Sequence, residues 1–128
     1  MGVEQKQQYL LLFEKHYDVQ NYHCVHFVID AAKYLFNKDY SKNFIGLTAS
    51  LNDAIQTSRK TVIRNKHIKE PKNGCIVLMT SLTGSNHVGL FYGRKVLHLS
   101  ETGTQYLSIN CLKQFYTRFR YYEPLAHL

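Results

Sequence analysis

The sequence predicts an α+β fold in a single domain, 1–128, with helices first and an antiparallel sheet second. Three observations carry this expectation. Apolar residues recur at helical spacing early in the chain. From Gly74 onward the apolar runs are short and bounded by turn residues. Gly93-Arg94 then separates two such runs by the length of a two-residue hairpin loop.

Residues 3–16 read as a first helix, with Tyr9, Leu12, Phe13 and His16 on one face. A polar break follows, and Asn21 is the expected N-cap of a second helix over 22–37. Cys24, Phe27, Val28, Ala31 and Leu35 form its apolar stripe, so Cys24 faces the core from the first turn. Residues 38–46 are a polar loop. A short third helix is expected over 49–57, capped by Thr48 or Ser50. Residues 58–73 are basic, anchored only by Val62, Ile63 and Ile68. They read as an extended connection ending at Pro71 and the Asn73-Gly74 turn signal.

The sheet occupies the remainder. Residues 75–80 are continuously apolar, as in a buried strand. Strands over 87–92 and 95–100 follow, joined at Gly93-Arg94. Glycine at the first central position suits a type II′ turn. Gly103 ends the second of these strands, and 105–109 read as a further one. Asn110 is the expected cap of a short helix through Tyr116, and 118–122 form a last strand before Pro124.

Composition narrows the function classes. A 128-residue chain that is 45% hydrophobic can bury a real core, which argues against disorder. A net charge of +7 favours anionic partners. Three cysteines, Cys24, Cys75 and Cys111, do not form a disulfide framework. The longest apolar run, residues 9–13, is far short of a membrane span and lacks the features of a signal peptide. No cofactor motif is present.

Two histidines in the hairpin need an explanation. With a two-residue turn, Tyr92 pairs with Lys95, and His87 and His98 become diagonal neighbours on one face across Gly89. A three-residue loop would slip the register and set His87 opposite Glu101 instead, making Glu101 the orienting residue. Cys24 at a helix N-terminus supplies the missing chemistry. The helix dipole and a nearby imidazole are expected to lower its thiol pKa. A cysteine nucleophile, a histidine base and a polar group that orients the histidine make a thiol acyl-transfer site. First-turn amides can serve the oxyanion.

These residues resemble the NlpC-type branch of the papain-like cysteine peptidases, which cleave peptidoglycan stem peptides. The matching pieces are Asn-Tyr-His-Cys-Val-His-Phe-Val around Cys24, Asn-Gly-Cys-Ile-Val-Leu-Met from Asn73, His-Val-Gly-Leu-Phe-Tyr-Gly from His87, and Val-Leu-His-Leu-Ser-Glu-Thr-Gly around His98. The last run is especially similar to the short form encoded in bacteriophage tail-gene clusters. The resemblance implies a papain-like fold with N-terminal helices on an antiparallel sheet. It makes Cys24 the nucleophile, His87 the base and His98 the orienting residue, and it requires no cofactor or metal. A family tyrosine that assists the oxyanion has Tyr17 and Tyr22 as candidates here. The family's Asp-Cys-Ser-Gly is replaced by His23-Cys24-Val25-His26, and its Gly-Asp by Gly74-Cys75. Cysteine before histidine in the chain favours the peptidase branch over permuted acyltransferases.

The implied partner is peptidoglycan peptide. Without a signal peptide, the protein would be made in the bacterial cytoplasm and reach the periplasm or wall on a phage tail or through a secretion apparatus. Alternatives are a non-catalytic tail-assembly or adaptor protein, a protein-directed transferase or deamidase, and an injected effector amidase. A zinc site at His23, Cys24 and His26 matches no common ligand spacing. Arg59, Lys60, Arg64, Lys66, Lys69 and Lys72, or Arg118 and Arg120 with Tyr121 and Tyr122, could contact nucleic acid, but a solvated basic face is the simpler reading. Cys111, also at a helix start, is the rival nucleophile.

Overall fold

A computed structural model describes residues 12–13, 17–18, 22–44 and 65–125. Helix α1 (Cys24–Phe36) is followed by a 3₁₀ turn (Ser41–Phe44). Strands β1 (Lys66–Ile68), β2 (Ile76–Ser81), β3 (Asn86–Tyr92), β4 (Lys95–Ser100) and β5 (Gly103–Leu107) come next. Then come a one-turn helix α2 (Ile109–Leu112) and β6 (Tyr116–Glu123). The strands form one six-stranded sheet in the order β1-β6-β2-β3-β4-β5. Every pairing is antiparallel. The α+β class is therefore present, with α1 preceding the sheet.

The sheet separates two apolar layers. On one face Ile76, Leu78, Val88, Leu90, Leu97, Leu99 and Tyr122 pack against the stripe of α1. That stripe is the expected one: Cys24, Phe27, Val28, Ala31 and Leu35 are all buried. Leu12 joins the same cluster. On the other face Cys75, Val77, Met79, Phe91 and Val96 pack with Leu112 of α2. Strand alternation explains the division, since successive residues of β2 go to opposite clusters. Each fully buried aliphatic side chain contributes about 1.5–3 kcal/mol of transfer free energy.

Several boundaries differ from expectation. Helix α1 starts at Cys24 with His23 as N-cap. The His23 N–H donates to His26 Nδ1 at 3.3 Å, so the side chain three residues on satisfies the cap's own amide. Asn37 ends the helix in the left-handed region, φ 54°. The end of the basic connection is a short edge strand, β1, paired with β6. Gly103 opens β5 rather than only closing β4, and β6 is longer at both ends than expected. Helix α2 starts one residue earlier than its expected cap. Ser108 is the true cap, its Oγ accepting from the Cys111 N–H at 3.2 Å. The first helix apart from Leu12 and Phe13, the Asn21 cap and the helix over 49–57 lie outside the described residues.

The hairpin has the two-residue loop. Tyr92 pairs with Lys95, Phe91 with Val96 and Leu90 with Leu97. The turn is of the I′ kind rather than II′, because both Gly93 (φ 58°) and Arg94 (φ 70°) have positive φ. The Tyr106 hydroxyl locks it from β5 by donating to the Tyr92 carbonyl at 2.5 Å.

Candidate active site

His87 and His98 meet. His87 Nε2 lies 2.9 Å from His98 Nδ1, and the rings are edge-to-face with centroids 5.0 Å apart. Gly89 makes this approach possible. A Cβ there would lie 2.5 Å from Val96 Cγ1 and 3.2 Å from His98 Cβ. The absent side chain lets β4 close over β3. Glu101 does not take the orienting place, since it sits exposed in the β4–β5 turn.

The bond also divides the ring atoms. With Nε2 of His87 engaged by His98, Nδ1 is the nitrogen left for a proton from elsewhere. Burial pushes the His87 imidazole down to about 3, helped by the charge of His98. Burial likewise lowers His98 to about 4, against an opposing contribution from the Gln105 side chain. Both rings are therefore neutral at physiological pH.

Cys24 lies at the first position of α1, only 1% exposed. Its thiol is pushed up to about 11 by burial, which outweighs the opposing N–H groups of Val88, Val25 and Cys24 itself. This corrects the expectation of a lowered thiol pKa. The helix amides act in the expected direction, but desolvation of the anion is larger. The Val88 N–H locates the sulfur: it lies against the β3 backbone, one residue from His87 and two past the last β3–β4 pair.

The thiol and the histidine pair lie on opposite faces of the sheet. His87 is the partner of Met79, and His98 lies two residues from Val96 on β4, so both rings belong to the face away from α1. Cys24 belongs to the α1 face. Tyr116 links them. Its ring stacks on His87 with centroids 6.0 Å apart and planes within 10°. Its hydroxyl pKa is raised by burial and by the charge of Cys24, so it lies within electrostatic reach of the thiol. A bulge brings it there. Thr80 pairs with Arg118 but Ser81 pairs with Tyr116, leaving Thr117 as the extra residue. That inserted residue turns Tyr116 away from the α1 face of Arg118 and onto the face of His87. Simple alternation in the sequence gives no sign of this.

The two upstream tyrosines part company. Paired backbone hydrogen bonds, 2.7 and 2.8 Å, hold Asp18 antiparallel to Tyr22 just before α1. Tyr17 is thereby brought near the thiol: its pKa is raised by burial, then by Cys24 and Glu101. The Tyr22 hydroxyl instead donates to Asp30 Oδ2 at 2.6 Å. Of the two, Tyr17 is the one that Cys24 influences.

The other candidates separate from this cluster. His23 and His26 pack ring to ring at 4.1 Å, yet among the described residues no group of three His, Cys, Asp or Glu side chains could hold a metal. Cys75 is buried in the second cluster. Cys111 is exposed on α2. Tyr121 and Tyr122 go to opposite layers, with Tyr122 buried, so they form no shared stacking surface beside Arg118 and Arg120. Lys66, Lys69 and Lys72 are exposed, and Lys72 is paired with Glu123 at 2.7 Å, while Arg59, Lys60 and Arg64 lie outside the described residues. No described helix is long and apolar enough to cross a membrane. No family model matches the chain, and no curated protein matches it.

Proposed function

We propose that the protein is a thiol hydrolase of the NlpC-type, papain-like kind that cuts amide bonds in peptidoglycan stem peptides. The observation that carries this reading is the 2.9 Å bond between His87 Nε2 and His98 Nδ1, on the strand next to the Val88 backbone that faces the helix-opening Cys24. It gives His87 an oriented ring with one nitrogen free, which is what a base for a thiol needs.

At rest the proton stays on sulfur, because burial raises the thiol and lowers the imidazole. Substrate binding starts the reaction. The Cys24 proton passes to His87 Nδ1 as the sulfur attacks the amide carbonyl. The oxyanion forms near the N–H groups of the first turn of α1, which has no acidic residue to compete for them. His87 returns the proton to the departing amine, leaving a thioester on Cys24. Water, deprotonated by His87, then attacks the thioester; the C–S bond breaks to release the peptide acid, and His87 returns the proton to the Cys24 sulfur. His98 keeps the ring in place throughout. By the same resemblance, carriage on a phage tail or injection by a secretion apparatus would bring the enzyme to the wall.

A second reading, a non-catalytic adaptor on the same scaffold, is favoured by the 1% exposure of Cys24 and by the position of both histidines on the face away from α1. Purified muropeptides incubated with wild type and Cys24→Ala, followed by liquid chromatography and mass spectrometry, separate the two. The hydrolase reading expects amide-cleaved fragments from wild type only. A folded wild type without product, or product from Cys24→Ala, rejects it.

A further inference from the structure

The hydrogen-bonded histidine pair has two possible proton arrangements, and only one of them is useful. If His87 Nε2–H donates to His98 Nδ1, then His87 Nδ1 carries a lone pair and can take the thiol proton. In the reverse arrangement, His98 Nδ1–H donates to His87 Nε2. The neutral His87 then holds its proton on Nδ1 and cannot act as a base. Something beyond the pair has to choose between them.

The far nitrogen of His98 is where such a choice can be made. In the useful arrangement His98 carries its proton on Nε2, and that atom needs an acceptor. His98 is 1% exposed, and among the described residues its Nε2 closes no hydrogen bond of ordinary geometry. Gln105 is directly opposite on edge strand β5 as the partner of His98. Side chains of directly opposed residues share a face and lie about 5 Å apart at Cβ. A glutamine side chain there shares the face of the His98 ring and is long enough to span that separation.

We propose that Gln105 is a positioning residue that sets the tautomer of both histidines. Its Oε1 accepts from His98 Nε2–H, His98 Nδ1 then accepts from His87 Nε2–H, and His87 Nδ1 is left with its lone pair to take a proton. The Gln105 side chain raises the His98 pKa, the direction in which an acceptor on a ring N–H acts. The catalytic consequence rests on the hydrolase reading above; the tautomer assignment does not.

The test is long-range ¹H–¹⁵N correlation spectroscopy of histidine-labelled protein, which reads the protonated nitrogen of each ring directly. Wild type should show both His87 and His98 in the Nε2–H form. Gln105→Glu, an obligate acceptor, should keep that pattern and move the His98 titration upward in pH. Gln105→Met, which keeps length but offers no oxygen, should shift His87 toward the Nδ1–H form. In the cleavage assay the Met variant should lose at least about tenfold in kcat with little change in KM, and the Glu variant should retain activity. A wild-type His87 in the Nδ1–H form, or a Met variant with unchanged tautomers, overturns the proposal. If the Met variant does not fold, the Glu variant decides: His87 in the Nδ1–H form beside a carboxylate overturns it equally. Tautomers that follow Gln105 in a protein that cleaves nothing would uphold this inference and reject the hydrolase reading.

Discussion

Replacing His98 by asparagine should make the protein less sensitive to acid. In the folded protein burial holds His87 at about 3 and His98 at about 4, against an ordinary value of 6.5. The unfolded chain therefore binds more protons than the folded one below the ordinary value. Stability falls as pH drops through that window and stops falling once the folded groups titrate. At about pH 7.5 neither state is protonated and the histidines contribute no pH dependence. At about pH 5 each unfolded histidine is charged and each folded one is still neutral. The cost is then about 1.5 pH units at 1.36 kcal/mol each, or about 2 kcal/mol per histidine. This figure does not depend on how far below about pH 5 the folded values lie. Removing His98 deletes one such contribution. It also removes a charge that lowers His87, which can only widen the difference. Urea unfolding of wild type and His98→Asn at about pH 7.5 and about pH 5 measures it. Wild type should lose about 2 kcal/mol more than the variant between the two conditions. Equal losses would mean that His98 is not held neutral by its surroundings.

Three further outcomes follow from the hairpin and the thiols. Gly89→Ala places a Cβ 2.5 Å from Val96 Cγ1 and should destabilise the fold by about 1–3 kcal/mol in thermal or urea unfolding. Adding Val96→Ala should recover part of that loss relative to the sum of the single changes, and strict additivity would mean no contact between the two sites. Arg94→Gly should stabilise by about 0.5–1 kcal/mol, since Arg94 holds a left-handed φ of 70° that glycine adopts without steric cost. Iodoacetamide at neutral pH should modify the exposed Cys111 well before Cys24, whose thiol is buried and pushed up to about 11; peptide mapping of the first alkylated site checks this.

The parts of this structure that sequence makes legible are those governed by local rules. The α1 stripe follows from 3.6-residue spacing, and the hairpin register from a glycine between two apolar runs. That register brings His87 and His98 onto one face. The missed features depend on contacts distant in sequence. The I′ turn requires Arg94 in a conformation that an arginine does not announce. Strand β1 is three residues with two exposed side chains, and pairing with β6 defines it more than its own pattern does. The bulge that turns Tyr116 onto His87 exists only in the register between β2 and β6. The thiol reverses its expected shift because burial is set by the whole core, while the helix-end effect is visible in a few residues.

Cys24 is proposed as a nucleophile served by His87. The most direct measurement uses a stem-peptide analogue carrying a thiol-reactive warhead at the scissile position, with the labelled residue mapped by mass spectrometry. Labelling is expected at Cys24, with loss of that labelling in folded His87→Ala and no peptide-dependent labelling of Cys75 or Cys111. Labelling confined to the exposed Cys111, or labelling of Cys24 at the same rate without His87, would contradict it.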